Sequence, residues 1–585
     1  MSQAVSRAAQ ENGFFSHDGA RLFYRHWPVQ AGVSDSGRVI VLLHRGHEHS
    51  GRVQQLVDAL VPQDCSAYAW DARGHGYSHG KRGDAPDFMC LVKDFEAFIQ
   101  HLQSVHGCQQ EQILIIANSV GAVIASTWIH DYAPRVRGLV MAASAFDINL
   151  YVPLAKPALR LGLRLQPELN VTSYVRASML THCEAEARSY ETDPLVTKNI
   201  SARVLIDLAD TAQRVVADAA AIDLPVLMLV AGKDYVVKTA AQQTFYDRLS
   251  SALKRWVYLP EAHHALLYEK DTSVAFSEIR KFIQECYALA MPELKQRVIQ
   301  SGSAQRELQL QDLPAPGFAN RVAFGVQRLM MRHLGWLSEG ITLGMQTGFD
   351  SGASLDYVYR NRASGKLGIG ALIDRGYLDA IGWRGIRERK QHLEKMLSLA
   401  IAAVPEGETI RILDLATGGG RYLLETVKRF GNRQFEIELR DYVQSNLDAA
   451  SALAKQLGLA EQVRCRRCDA FSADSYQDET RFHIVVISGL FELFSDNNLL
   501  NTALQGVRRQ MLPGAKLIYT GQPWHPQLDM IAHTLTNHQG KPWVMRPRPQ
   551  AELDALVALA GGQKLQSLVG IQGIFSVSLA EFAEP

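Results

Sequence analysis

The sequence predicts an α/β protein built as two domains in series, and three observations predict it. The chain has 585 residues, whereas a single hydrophobic core stops growing near ~250–300 residues. Short apolar runs rich in Val, Ile and Leu alternate with longer amphipathic stretches twice over, once between Arg38 and about Gln284 and again after about Ala403. Between the two series lies LPAPG (313–317), whose two prolines and glycine mark a linker. With 47% hydrophobic and 21% charged residues and a net charge of +1, the surface is ordinary and globular, so nucleic acid is not an expected partner.

In the first series the runs VIVLLH (39–44), ILIIA (113–117), VRGLVMAA (136–143) and PVLMLVAG (225–232) lack in-out alternation. Such strands are buried on both faces, which implies a parallel sheet covered by helices. Over about 147–223 the rhythm gives way to a helical, Arg- and Leu-rich insert, read as a cap over a site. The first domain is therefore placed at 1–290 and the linker at 291–317. A helical segment at 318–403 follows, ending in IRERKQHLEKMLSLAIAAV with Leu393, Met396, Leu397 and Ala400 at helical spacing. The second α/β domain, 404–585, carries IRILDL, FEIEL, VRCRRC, FHIVVIS, AKLIYT, KLQSLV and GIFSVSL.

Seven scattered cysteines suit a reducing compartment better than a disulfide framework. The pair Cys465 and Cys468 has no second pair to complete a zinc site, so it reads as structural and no metal is expected. The N-terminal MSQAVSRAAQENGFF lacks the apolar core of a secretory signal, and no apolar run approaches the ~18 residues of a membrane span. A cytoplasmic protein is expected, with peripheral membrane contact left open.

ILIIA-Asn118-Ser119-Val120-Gly121 sets a serine between a buried strand and a helical stretch, a G-x-S-x-G elbow with Ala117 at the first glycine. Asp234 follows near the end of a strand and His264 after the WVYLP strand, which is the Ser…Asp…His order of α/β-hydrolases. In that arrangement the histidine takes the serine proton and the aspartate orients the imidazole. Spacing alone does not choose between His263 and His264.

At these residues the chain, over roughly 13–288, resembles the monoacylglycerol lipase and lysophospholipase branch of α/β-hydrolases. His44-Arg45-Gly46-His47-Glu48-His49-Ser50-Gly51-Arg52 is similar to that branch's HGxGEHSGR loop, and Asp71-Ala72-Arg73-Gly74-His75-Gly76-Tyr77-Ser78 to its DxRGHGxS. The resemblance selects His264, four residues after Pro260 and five before Glu269. It implies an oxyanion hole from the backbone N–H groups of Gly46 and Val120, a bracing role for His44 and Asp71, and an ester substrate with an apolar acyl chain. Arg45 and His47 stand where the family has glycines, and Arg45 reads as a solvated or head-group-attracting charge at the rim.

In the second domain ILDL-Ala416-Thr417-Gly418-Gly419-Gly420-Arg421 follows a buried strand and opens a helix, a turn tight enough for a ligand to lie against it. Asp441, twenty-one residues past Gly420, has the position to accept ribose hydroxyls. That much suits a dinucleotide or S-adenosylmethionine alike. Asp414 before the loop, Asp469 after the third strand and the two closing strand-like runs favour the second. Over about 385–580 the chain resembles class I methyltransferases of Rossmann-like fold, and the segment GFDSGASLDYVYRN (348–361) resembles a bacterial methyltransferase family often fused to such hydrolases. The resemblance implies S-adenosylmethionine as cofactor, with Asp414 near the methionine amino group and Ala416, Gly418 and Gly420 along the methionine chain. It likewise implies Asp441 on the ribose, Asp469 and Ala470 beside the adenine, and Ser488 by the methyl donor. No methyl acceptor follows, though Asp350, Asp356, Tyr357 and Tyr359 are candidates to line its side.

Three readings compete. The favoured one is a bifunctional enzyme, a serine ester hydrolase fused to a methyltransferase. The others are a hydrolase with a non-catalytic nucleotide-binding half and one with an NAD-linked oxidoreductase half.

Overall fold

The computed structural model describes residues 6–293 and 306–583, so part of the expected linker, 294–305, lies outside the described residues. The chain folds as two units, Met1–Met291 and Pro292–Pro585. Both are α/β.

The sheet of the first unit is made by β1 (Gln10–Phe15), β2 (Arg21–Trp27), β3 (Val39–Leu43), β4 (Ser66–Trp70), β5 (Ile113–Asn118), β6 (Gly138–Ala142), β9 (Val226–Ala231) and β10 (Lys254–Leu259). Their order is β1-β2-β4-β3-β5-β6-β9-β10. From β4 to β10 all neighbours are parallel, while β1 and β2 add an antiparallel edge that the apolar runs did not announce. Every residue of β3, β5, β6 and β9 is buried, which accounts for runs without alternation. This is the α/β-hydrolase fold. Between β6 and β9 the chain leaves the sheet for helices Ala155–Leu165, Glu184–Thr192 and Ala202–Ala217 and the small antiparallel pair of β7 (Asn170–Thr172) and β8 (Asn199–Ser201).

The sheet of the second unit is made by β11 (Ile410–Leu415), β12 (Phe435–Asp441), β13 (Val463–Arg467), β14 (Phe482–Ile487), β15 (Met511–Gly521), β16 (Gly562–Val569) and β17 (Ser576–Phe582). The order β13-β12-β11-β14-β15-β17-β16 is parallel except where β17 runs antiparallel to both neighbours. Strand order reverses at β11 and β14, so the carboxyl ends of those strands open a crevice at a topological switch point. Among the described residues five α-helices of this unit precede the sheet, Phe318–Leu334, Glu339–Thr347, Gly352–Arg360, Ile369–Leu378 and Ile381–Ala402. The last lays Leu393, Met396, Leu397 and Ala400 into one core with Ile410, Ile412 and Val577. Each such large side chain, fully buried, contributes roughly 1.5–3 kcal/mol, which ties this helix to the sheet that follows it. No helix among the described residues is long and apolar enough to cross a membrane.

Candidate active sites

In the first unit β5 ends at Asn118 and the helix Val120–Tyr132 begins two residues later, leaving Ser119 to make the whole turn. It does so at φ 51°, ψ −111°, a strained conformation for any side-chain-bearing residue. Close packing enforces the turn: a Cβ on Gly121 would lie 2.8 Å from the His44 carbonyl oxygen. Ser119 Oγ stands 2.9 Å from His264 Nε2, and His264 Nδ1 stands 2.9 Å from Asp234 Oδ2. The other oxygen of Asp234 accepts the Val236 and Val237 amides at 2.8 and 2.9 Å, which fixes the carboxylate behind the imidazole. Ser119 and His264 are both buried.

The neighbouring histidine is turned away. His263 donates its backbone N–H to Glu269 Oε1 at 2.8 Å and stacks its ring on His182 at 3.8 Å. Val120 is the first helical residue, so its amide has no intrahelical acceptor. Gly46 packs beside it, since a Cβ there would approach Val120 Cγ2 to 3.0 Å. His44 Nε2 accepts the Ala72 amide at 3.0 Å, and Asp71 accepts the amides of Ser50 and Tyr77 at 2.6 and 2.8 Å, so both brace the loops beneath the serine.

Arg45 departs from its expected place at the rim. It is buried, with Nε and Nη2 on Glu48 at 2.9 and 2.6 Å, and Glu48 also takes Arg52 at 3.0 Å. The physical reason is the carboxylate three residues on, which gives a desolvated guanidinium a bidentate partner that water at the rim would not match. His47 adopts φ 72°, the left-handed conformation that the usual glycine would take without penalty. Ser119, His264, Gly46 and Val120 share a cavity of about 480 Å³ whose far walls come from the cap, among them Leu159, Val171, Leu205 and Leu208.

In the second unit the loop after β11 turns through three left-handed residues, Ala416 (φ 58°), Gly418 (φ 55°) and Gly420 (φ 63°). Ala416 thus holds, at a cost of roughly 1–2 kcal/mol, a conformation glycine adopts freely. A Cβ on Gly418 would meet nothing closer than 3.6 Å, so the backbone there is open to a ligand. Asp441, at the end of β12, accepts the Gly418 amide on Oδ2 at 2.9 Å and Val443 N and Asn446 Nδ2 on Oδ1 at 2.9 and 3.0 Å. A carboxylate has roughly four lone-pair sites, so one remains for a further donor.

Ala416, Gly418, Gly420, Asp441, Asp469, Ala470 and Ser488 line one cavity of about 490 Å³. Asp414 does not. It is fully buried under the loop, where Thr417 Oγ1 and Tyr422 Oη donate to it at 2.7 and 2.6 Å. Burial pushes its carboxyl up to about 7. With one oxygen on Thr417 and the other on Tyr422, the Asp414 carboxyl braces the turn from beneath.

The preceding helices form part of the same cavity through Asp350, Asp356 and Tyr359, while Tyr357 is turned aside and donates to Asp374 at 2.5 Å. Several lining groups carried no local signal. His538 bonds Asp350 through Nδ1 at 2.8 Å, which raises its pKa, across 188 residues of sequence. Phe471 and Phe494 meet edge to face at 4.7 Å on the wall beside Asp469. All seven cysteines, Cys465 and Cys468 included, are free thiols.

Comparison with known proteins gives a match for each unit. Residues 279–582 match a family model described as "Putative methyltransferase", and residues 34–271 one described as "Serine aminopeptidase, S33". Over 581 residues, 98% of this chain and 99% of the other, the sequence is 44% identical to the Escherichia coli (strain K12) protein named "Uncharacterized protein YnbC". The N-terminal half is 24% identical to the monoacylglycerol lipase of Mycolicibacterium smegmatis, over 48% of this chain and 98% of that one. It is 26% identical to human monoglyceride lipase, over 47% of this chain and 90% of that one.

Proposed function

Because the chain belongs to the family described as "Putative methyltransferase", joined to a serine-hydrolase domain homologous to monoglyceride lipases, we propose that it is a bifunctional enzyme acting on lipid-like esters and transferring a methyl group from S-adenosylmethionine. The observation that carries the reading is that each unit has a cavity equipped for one of these reactions.

In the first, His264 takes the Ser119 proton as Oγ attacks the ester carbonyl, and Asp234 stabilises the imidazolium. The amides of Gly46 and Val120 receive the oxyanion. His264 then protonates the leaving alcohol, and water releases the acid by the same route reversed. The apolar cap wall supports an acyl chain as the group bound. A peptide amine is disfavoured, because the one lining carboxylate among the described residues, Asp84, is already paired with Arg203 at 3.2 Å. On the cap helix Ala155–Leu165, Leu161 and Leu165 are 60% and 82% exposed, which supports contact with a lipid surface.

In the second, the open backbone at Gly418 and the carboxylate of Asp441 fit an adenosyl ligand. Gly418 and Gly420 would lie along its methionine chain, Asp441 would take a ribose hydroxyl, and Asp469 and Ala470 would meet the adenine with Ser488 near the methyl. S-adenosylmethionine supplies an electrophilic methyl on a sulfonium.

The test uses the full chain. Ser119→Ala should lower hydrolysis of a medium-chain p-nitrophenyl ester by several orders of magnitude, while calorimetry shows S-adenosylhomocysteine binding unchanged. Retained hydrolysis, or no binding of the nucleoside, refutes the corresponding half.

A further inference from the structure

Beside the glycine-loop cavity the second unit holds another, of about 320 Å³, and Asp350, Leu355, Arg389, Gly489 and Leu493 line both. Its walls are rich in rings, with Phe349, Tyr377, Trp383, Trp543 and Phe575 facing it. Three buried polar atoms of its lining residues have no hydrogen-bond partner among the described residues: Arg389 Nε, Glu492 Oε2 and Trp543 Nε1. An unpaired buried polar group is destabilising by roughly 1–3 kcal/mol, more when charged. A wall that holds three such groups is shaped for a ligand that completes them.

Glu492 is 6% exposed, and only its Oε1 meets Arg389, with Nη1 at 3.3 Å. A Cβ on Gly489 would come within 3.3 Å of that guanidinium, so the pair stands where the two cavities adjoin. The other titratable wall groups are engaged or neutral. Asp350 holds His538. His525 is kept uncharged by burial, its pKa pushed down to about 4, and its Nδ1 accepts the Gln527 amide at 3.0 Å, which leaves the proton on Nε2.

We propose that this second cavity binds the methyl acceptor, and that the acceptor is a mostly apolar, ring-bearing molecule whose reacting hydroxyl donates to Glu492 Oε2. The inference rests on the methyl-transfer reading and names its substrate class. As a lone pair of the hydroxyl oxygen forms the O–CH3 bond, the hydroxyl proton passes to Glu492 Oε2. The electron pair of the broken S–CH3 bond stays on sulfur, and the donor leaves as the neutral thioether. The indole N–H of Trp543 is a donor for a further polar group on the same ligand.

Isothermal titration of the full chain with 2-naphthol, a two-ring phenol, and separately with S-adenosylhomocysteine tests this. The wild type should bind both together, one of each. Glu492→Gln should weaken naphthol binding by about tenfold or more, the loss expected for a hydrogen bond to a charged group, and leave nucleoside affinity within about threefold. Glu492→Asp keeps the charge and draws the acceptor back by one methylene, so it carries the same comparison if Glu492→Gln does not fold; its naphthol affinity should fall by about fivefold. No naphthol binding, mutual exclusion of the two ligands, or equal naphthol affinity in the wild type and the folded variants overturns the proposal. Failure of S-adenosylhomocysteine to bind overturns the donor reading and the acceptor assignment with it. That outcome is told apart because naphthol binding and its dependence on Glu492 are measured independently.

Discussion

Asp414 gives the second unit a stability that falls as pH rises, and Asp414→Asn isolates the effect. The carboxyl is fully buried, and burial moves it from 3.8 to about 7. The folded protein therefore holds a proton that the unfolded chain releases above about pH 4, so stability is complete below that pH and declines until the folded group ionises near pH 7. At roughly 1.36 kcal/mol per pKa unit the whole span is worth about 4 kcal/mol. The interval between pH 5 and pH 8 covers about 2–3 kcal/mol of it. Asparagine matches the protonated acid in shape, keeps an acceptor for Thr417 or Tyr422, and does not titrate. Urea unfolding of wild type and variant at pH 5, 6, 7 and 8 yields a difference in which all other titrating groups cancel. That difference should grow in favour of the variant by about 2–3 kcal/mol from pH 5 to pH 8. A difference constant within about 0.5 kcal/mol would show that this carboxyl ionises as it does in water, and the account of a neutral acid beneath the loop would be wrong.

His264→Ala should abolish ester hydrolysis as fully as Ser119→Ala, whereas His263→Ala should keep turnover within about tenfold, because its ring faces His182 and only its amide is used; equal losses in initial-rate assays would contradict the assignment. Gly418→Arg should eliminate S-adenosylhomocysteine binding by filling open space, and Asp441→Ala should weaken it by roughly 1–3 kcal/mol in calorimetry, with unchanged affinity in both variants excluding the site. Arg45→Met should destabilise the first unit by about 1–3 kcal/mol in denaturant melts, since the buried Glu48 would lose its bidentate partner and keep only Arg52, and a neutral effect would return Arg45 to the solvated role.

What the sequence determined by itself is everything set by near neighbours. Continuous apolar runs such as ILIIA and FHIVVI specify strands buried on both faces, because period and length are properties of a few consecutive residues. The turn at Ser119 and the loop from Ala416 to Gly420 are legible for the same reason, since their backbone conformations follow from the residues that make them. The antiparallel strands β1 and β2, half exposed and mixed in polarity, carried no such run. The tertiary structure decided what depends on distant partners. Glu269 and Asp234 separate two adjacent histidines, and Glu48 draws Arg45 inward. Thr417 and Tyr422 hold Asp414 buried beneath the loop. The meeting of Arg389 with Glu492 and of Asp350 with His538 joins residues 103 and 188 positions apart. Pairings of that kind have no local period or motif, because the free energy that selects them, the desolvation of charged groups, exists only once the chain has closed around them.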